Sequence, residues 1–137
     1  MITALDHIAI CVPDLEAAIA RFVEDLGLEL AGTEDVALQQ TKTAFLPVAG
    51  PTNIELVSPM DGSGPLVRYL DKRGPGIHHI CFRTDDVEGD MKRLAERGYR
   101  FTTDAPTPGA HGTRVVFVHP KSTGGVLIEL AEYPDHA

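Results

Sequence analysis

The chain has 137 residues, 43% of them hydrophobic, which is enough apolar material for the core of one compact domain. Its formal net charge of −8, together with scattered basic residues, argues against nucleic acid or an anionic membrane as a partner. No stretch approaches the roughly 20 consecutive apolar residues that span a bilayer, and no secretory signal pattern is present, so we expect a cytoplasmic protein. Cys11 and Cys81 are expected to be buried thiols, because two isolated cysteines form no disulfide framework.

The first half of the chain has the pattern of a βαβββ module. Residues 5–12 alternate between an apolar face and a face that includes His7, which is typical of a half-buried strand. Apolar residues then recur at three- and four-residue steps between a capping Asp14 and a terminating Gly27, which predicts a helix. Three strands are predicted near 28–32, 42–48 and 52–58.

The second half repeats this pattern. It predicts a strand at 77–83, a helix near 87–97 ended by Gly98, and strands near 100–103, 113–118 and 125–131. The Gly- and Pro-rich stretch 59–75 between the halves is interpreted as a linker that contains a short helix. We therefore expect a single domain over 1–137, with modules at about 4–58 and 76–133.

Four residues with metal-ligand chemistry recur at matching places in the two halves. A shift of 72 residues superposes His7 on His79, and a shift of 74 superposes Glu55 on Glu129. Isoleucine and leucine flank each glutamate, so strand alternation directs each carboxylate away from the helix, to the side that the histidines face. The sequence thus predicts an α+β fold, in which two tandem βαβββ modules form a curved mixed sheet around a metal-binding cleft.

Sheltered carboxylates require a compensating charge, and one divalent cation would supply it. Two imidazoles and two carboxylates suit Co, Mn, Fe, Ni or Zn. The competing interpretation is that His7 and His79 are ordinary core histidines, but the doubled His and Glu favour ligands. His78 is an alternative ligand, although its opposite strand parity places it toward the helix side or the rim.

Two loop residues are candidate contacts to a bound substrate. His111 lies in Gly109-Ala110-His111-Gly112, and Lys121 follows a predicted strand, where it could neutralise a phosphate of a large ligand. A solvated loop histidine and a plain turn lysine are the competing interpretations.

Several motifs taken together resemble the vicinal oxygen chelate (glyoxalase/bleomycin resistance/dioxygenase) superfamily and, within it, the methylmalonyl-CoA epimerase family. The resemblance covers nearly the whole chain. It rests on Leu5-Asp6-His7, Ile54-Glu55-Leu56-Val57-Ser58-Pro59, Gly76-Ile77-His78-His79-Ile80, Gly109-Ala110-His111-Gly112, His119-Pro120-Lys121 and Gly124-Gly125-Val126-Leu127-Ile128-Glu129-Leu130.

The resemblance implies a paired βαβββ fold and one metal ion held by His7, Glu55, His79 and Glu129. It also implies epimerisation of (R)- and (S)-methylmalonyl-CoA through a metal-stabilised enolate, by a homodimer that often uses cobalt. Co²⁺ is therefore the favoured ion, with Mn²⁺, Zn²⁺, Ni²⁺ or Mg²⁺ as alternatives, and an acyl-CoA is the expected small-molecule partner.

The chain departs from some relatives at one point that affects the catalytic bases. Those relatives have a non-ligand glutamate on the third strand of the first module, whereas residues 39–45 contain no acid here. Our hypothesis is that Glu129 acts as the base on one face of the substrate. Glu55, a bound water or His111 would then act on the other face.

Three other functions fit parts of the pattern. A glyoxalase I-like lyase would use a similar ligand set on a glutathione hemithioacetal. An extradiol dioxygenase would use two histidines and one carboxylate with Fe(II), and the fourth ligand candidate argues against it. A metal-free small-molecule-binding protein of the same fold would need an aromatic-lined hollow, but the chain has no Trp and few aromatics.

Overall fold

The computed structural model describes residues 1–62 and 64–134. The elements are β1 (Ile2–Cys11), α1 (Leu15–Ala20), β2 (Gly32–Val36), β3 (Thr41–Pro47), β4 (Asn53–Pro59), α2 (Pro65–Arg73), β5 (Gly76–Thr84), α3 (Val87–Glu96), β6 (Thr107–Pro108), β7 (Arg114–Val118) and β8 (Ile128–Glu132). The predicted α+β class and the βαβββ order of both halves are confirmed. Among the described residues, none of the helices is both long and apolar enough to cross a membrane.

The chain divides into two compact units, and their boundaries fall within β1 and β5. One unit is His7–His78, and the other joins Met1–Asp6 to the chain from His79 onward. β1 therefore contributes its C-terminal half to the first unit and its N-terminal half to the second. The two candidate histidine ligands each stand immediately after a boundary.

The unit His7–His78 is a four-stranded mixed sheet in the order β2-β3-β4-β1. β1 and β4 are parallel, whereas β3 is antiparallel to both β2 and β4. One face of this sheet packs on α1 through a core that includes Ala44, Leu46 and Leu56, with Ile10 and Ile54 against it. α1 is capped by Asp14, whose side chain accepts a hydrogen bond from the Ala17 backbone N–H at 3.2 Å.

The second unit has the strand order β1-β5-β8-β7-β6. β5 and β8 are parallel, and β7 is antiparallel to its neighbours β8 and β6. α3 covers one face through a core that includes Val87, Val116 and Leu130, with Phe82 and Ile128 against it. Asp86 caps α3 by accepting a hydrogen bond from the Gly89 N–H at 3.0 Å.

The helix ends agree with the sequence prediction. The first helical run continues beyond α1 as a π-helical turn over Arg21–Asp25 before Gly27. Gly27 and Gly98 have φ values of +80° and +90°, the left-handed conformation that ends helices and that glycine adopts without strain.

The strand predicted at 28–32 is wrong, because the strand that pairs with β3 is Gly32–Val36. This strand lies at the edge of its sheet and includes Thr33, Glu34 and Asp35, so it lacks the apolar alternation on which strand prediction depends. The more apolar stretch before it is not a strand, and Leu28 packs instead on the core beneath α1.

Two strand predictions in the second half also need correction. Instead of a strand at 100–103 there is an isolated bridge between Phe101 and Val118, and β6 follows at Thr107–Pro108. A turn in which the Thr103 hydroxyl donates to the Ala105 carbonyl, followed by a proline without an N–H, interrupts the pairing. The predicted strand 125–131 begins only at Ile128, and Gly125 at its predicted start has a φ of +102°, outside the extended region of a strand.

Candidate functional site

In the unit His7–His78, neighbouring parallel strands bring His7 and Glu55 together. His7 is paired in register with Asn53, and Glu55 with Ala9, so the two side chains stand diagonally on the same face. His7 Nδ1 and Glu55 Oε2 are 2.9 Å apart. Both residues are buried, with 6% and 8% of their surface exposed. The predicted parity is confirmed here, because the residues of opposite parity pack on α1.

The second unit contains the matching pair. His79 Nε2 and Glu129 Oε1 are 3.0 Å apart, on the adjacent parallel strands β5 and β8. Both residues are buried, and Phe82, Ile128 and Leu130 on the opposite face belong to the core beneath α3. The internal repeat therefore places a His–Glu pair on adjacent parallel strands in both halves, although His7 contacts its glutamate through Nδ1 and His79 through Nε2.

The donor atoms of each pair fit a metal ion. In each pair one imidazole nitrogen and one carboxylate oxygen approach within about a hydrogen-bond length, and neutral imidazole and carboxylate are the ligands that borderline divalent ions bind. Without an ion, the same atoms satisfy each other by a hydrogen bond between the ring N–H and the carboxylate. Because the carboxylates are buried, an opposite charge or a hydrogen bond stabilises them more than it would at the surface.

The two predicted loop contacts lie on short 3₁₀ turns of the second unit. His111 is exposed and has φ +59° and ψ +30°, an uncommon conformation for a residue other than glycine. Lys121 is exposed, and its backbone N–H donates to His119 Nδ1 at 3.1 Å. Their roles as substrate contacts stay predictions.

His78, the alternative ligand, lies against the helix α2. Its ring meets the Tyr69 ring edge-on, with centroids 4.7 Å apart, and the Tyr69 hydroxyl donates to the Ile77 carbonyl at 2.8 Å. His78 is only partly buried, whereas His79 is buried beside Glu129. These contacts favour His79 as the ligand.

Cys11 and Cys81 are both buried thiols outside any disulfide, as predicted. Desolvation raises the pKa of the Cys11 thiol to about 11, so Cys11 is protonated at neutral pH.

A partly buried ion pair that the sequence reasoning missed lies in the second unit. Asp6 is only 2% exposed, and its Oδ1 accepts hydrogen bonds from Arg83 Nη2 at 2.8 Å, Arg83 Nε at 3.2 Å and the Tyr133 hydroxyl at 2.9 Å. The Arg83 guanidinium also lies 4.1 Å from the centroid of the Tyr133 ring. Desolvation disfavours the charged guanidinium, but the hydrogen bonds and charges of Asp6 and Tyr133 together outweigh it and raise the pKa of Arg83. An acid next to a candidate ligand in an otherwise apolar strand was the available sequence signal.

Fold and site together define the class of protein. Residues 6–117 match the model of the Glyoxalase/Bleomycin resistance protein/Dioxygenase superfamily, and the chain belongs to this superfamily.

Within this superfamily, the chain is similar to epimerases of substituted malonyl-CoA thioesters. The chain is 40% identical over 134 residues to the ethylmalonyl-CoA/methylmalonyl-CoA epimerase of Cereibacter sphaeroides. The alignment covers 96% of this chain and 99% of that protein. It is 35% identical over 129 residues to the mitochondrial methylmalonyl-CoA epimerase of Homo sapiens, covering 93% of this chain and 73% of that protein.

Solved structures agree with these relatives. The methylmalonyl-CoA epimerase of Mycobacterium tuberculosis has a TM-score of 0.93 at 38% identity, covering 98% of this chain and 90% of that chain. A variant of the Streptomyces coelicolor methylmalonyl-CoA epimerase in complex with 2-nitronate-propionyl-CoA has a TM-score of 0.93 at 33% identity, covering 98% and 100%. The predicted fold class and the predicted family resemblance are confirmed.

Proposed function

We propose that this protein epimerises (R)- and (S)-methylmalonyl-CoA. The observation that carries the proposal is the pair of buried His–Glu contacts on matching strands, in a chain that aligns over nearly its whole length with methylmalonyl-CoA epimerases. Because the Cereibacter sphaeroides relative is an ethylmalonyl-CoA/methylmalonyl-CoA epimerase, we expect ethylmalonyl-CoA to be a substrate as well.

We further propose that His7, Glu55, His79 and Glu129 together hold one divalent ion. The support is the chemistry of the donor set and the presence of one imidazole and one carboxylate in each unit, already within contact distance and buried. When bound, such an ion supplies positive charge that stabilises the enolate oxygen formed on deprotonation. Co²⁺ is the ion we expect, with Mn²⁺, Zn²⁺, Ni²⁺ and Mg²⁺ as alternatives that metal analysis of the purified protein distinguishes.

The protein's own contribution to the reaction is a proton transfer. The hydrogen between a thioester and a carboxylate is moderately acidic, so a positioned carboxylate can remove it, and the electron pair of the broken C–H bond moves toward the thioester oxygen. We assign this step to Glu129, which is buried and oriented by His79. Return of a proton to the opposite face of the planar carbon completes the inversion.

Inversion also requires a second group that returns a proton on the opposite face of the substrate. β3, which borders the Glu55 strand, contains no acid between Thr41 and Pro47. Glu55, a bound water or His111 is therefore the second base in our proposal. Lys121 and His111 are proposed substrate contacts, and the homodimer and the cytoplasmic location also stay predictions.

The decisive experiment uses the Glu129→Gln variant. Wild-type and variant protein, both analysed for metal, are incubated with (R)- or (S)-methylmalonyl-CoA in D₂O while deuterium uptake and stereochemistry are followed. We expect the wild type to exchange and epimerise, and the variant to exchange about 10²–10⁴-fold more slowly, as removal of a general base does. Glu96→Gln, an exposed change on α3, is the matched control and should behave as wild type.

Two outcomes would contradict the proposal in different ways. Full exchange in Glu129→Gln with metal still bound would remove Glu129 as the base. Wild-type protein that holds metal but exchanges no α-proton would contradict the epimerase and favour a glyoxalase I-like lyase, to be assayed on the hemithioacetal of glutathione and methylglyoxal.

A further inference from the structure

Each candidate glutamate has a phenylalanine directly across from it in the sheet. Phe45 on β3 is paired in register with Glu55 on β4, and Phe117 on β7 is paired with Glu129 on β8. The two phenylalanines are 72 residues apart in the sequence, which is also the spacing between His7 and His79. The repeat therefore contains a third position beside each His–Glu pair.

Directly opposed residues of an antiparallel pair lie on the same face of the sheet, with Cβ atoms about 4.5–5.5 Å apart. Phe117 therefore stands beside Glu129 on the face away from α3, and Phe45 stands beside Glu55 on the face away from α1. Neither ring belongs to the cores beneath the helices, which are built from residues of opposite parity such as Val116 and Ala44.

The contact between Phe117 and His79 is specific in geometry. The ring centroids are 5.2 Å apart and the planes are nearly perpendicular, at 88°. This is the edge-to-face arrangement that aromatic pairs prefer. Phe117 is partly exposed, whereas His79 and Glu129 are 9% and 6% exposed, so a partly exposed ring contacts a buried imidazole.

We propose that Phe117 is a positioning residue for the His79–Glu129 pair. Its ring restricts rotation of the imidazole and keeps water from the carboxylate, so that His79 Nε2 and Glu129 Oε1 stay converged. A merely space-filling role would tolerate any apolar side chain of similar volume, whereas positioning requires the flat ring edge. Its consequence for catalysis rests on the proposed epimerase function, but its effect on His79 does not.

The first test needs no activity. In metal-free protein, the His79 ring C–H signals in the proton NMR spectrum are assigned by their loss in His79→Gln. We expect Phe117→Leu to shift and broaden these signals, because the ring contact is lost. Phe117→Tyr, which keeps the ring, should leave them close to wild type. Phe45→Leu is the matched control, since it removes the equivalent ring beside Glu55 in the other unit.

The second test separates positioning from simple structure. We expect Phe117→Leu to lower kcat or the affinity for Co²⁺ by about tenfold or more, as changes in residues that orient metal ligands do, with KM changed much less than kcat. Phe117→Tyr, which keeps the ring, should retain most of the wild-type kcat and Co²⁺ affinity. The free energy of unfolding, measured with urea, reports whether Phe117→Leu is also a stability variant.

The outcomes are distinguishable from those of the function test. Unchanged His79 signals in Phe117→Leu, or wild-type kcat and Co²⁺ affinity in that variant, would overturn the positioning role. An equal loss in Phe117→Leu and Phe117→Tyr would also overturn it, because the ring would then not be the required feature. If the wild type fails to epimerise methylmalonyl-CoA, the NMR and Co²⁺ measurements still decide the inference.

Discussion

At the scale of single residues, strand parity determines which side chains serve chemistry and which serve the core. His7 and Glu55 stand on one face of their strands, while Ile10 and Ile54 on the other face pack beneath α1. Because side chains in a strand alternate strictly, a shift of one residue would exchange the two sets. Each polar pair is therefore held in place by the apolar residues that flank it.

Cys11 shares the ligand face, but its thiol is buried. It is fully buried, and desolvation raises the pKa of its thiol to about 11. Because the thiolate is the reactive form, we expect native protein of the Cys81→Ser variant to react with iodoacetamide at about pH 8 more than about a hundredfold more slowly than the same protein unfolded in urea. The reaction should accelerate as the pH rises toward the raised pKa. Equal rates in the native and unfolded protein would show that this burial is absent in solution.

At the scale of elements, the predicted linker is more than a connection. Its helix α2 packs through Leu66, Tyr69 and Leu70 on Cys11 and Val57. These two residues have the same parity as His7 and Glu55 on β1 and β4. α2 thus covers part of the face on which the candidate ligands of its unit stand.

We expect this docking to contribute measurably to stability. Leu66 is 5% exposed, so Leu66→Ala removes buried apolar volume and should lower the free energy of unfolding by about 2–4 kcal/mol. Arg68→Ala is the control on the same helix, where an exposed side chain should change stability by less than about 0.5 kcal/mol. Urea denaturation measures both. A similar small effect for the two variants would mean that α2 is not packed on the sheet in solution.

At the scale of the whole molecule, the proposed metal ion links binding to stability. A ligand that binds only the native state at about 100 times its Kd stabilises that state by about 2.7 kcal/mol. We therefore expect Co²⁺ to raise the thermal unfolding temperature by several degrees and EDTA to reverse the change. The double variant His7→Ala/His79→Ala should lose the effect. His111→Ala, which removes an exposed histidine, should keep it, and an unchanged response in the double variant would contradict the proposed ligand set.

Local patterns in the sequence were sufficient to predict the two modules and the capped helices. They also predicted the strand faces on which the candidate ligands stand, namely His7, Glu55, His79 and Glu129. Helical and strand periodicity are properties of a few consecutive residues, so they can be read without knowing what a segment packs against. The same reasoning failed for β2 and for residues 100–103. Those segments are edge pairings, and their side chains carry little of the apolar alternation that identifies a buried strand.

Only the tertiary structure decided which distant residues meet. The contacts of Asp6 with Arg83 and Tyr133 join residues 77 and 127 positions apart, and the Phe117 ring on β7 meets His79 on β5 across the one intervening strand β8. Such contacts depend on strand order and register, which arise from the packing of the whole sheet. The sequence alone thus determined the candidate ligands and their direction, whereas the tertiary structure determined their partners, because partner choice is a non-local property of the fold.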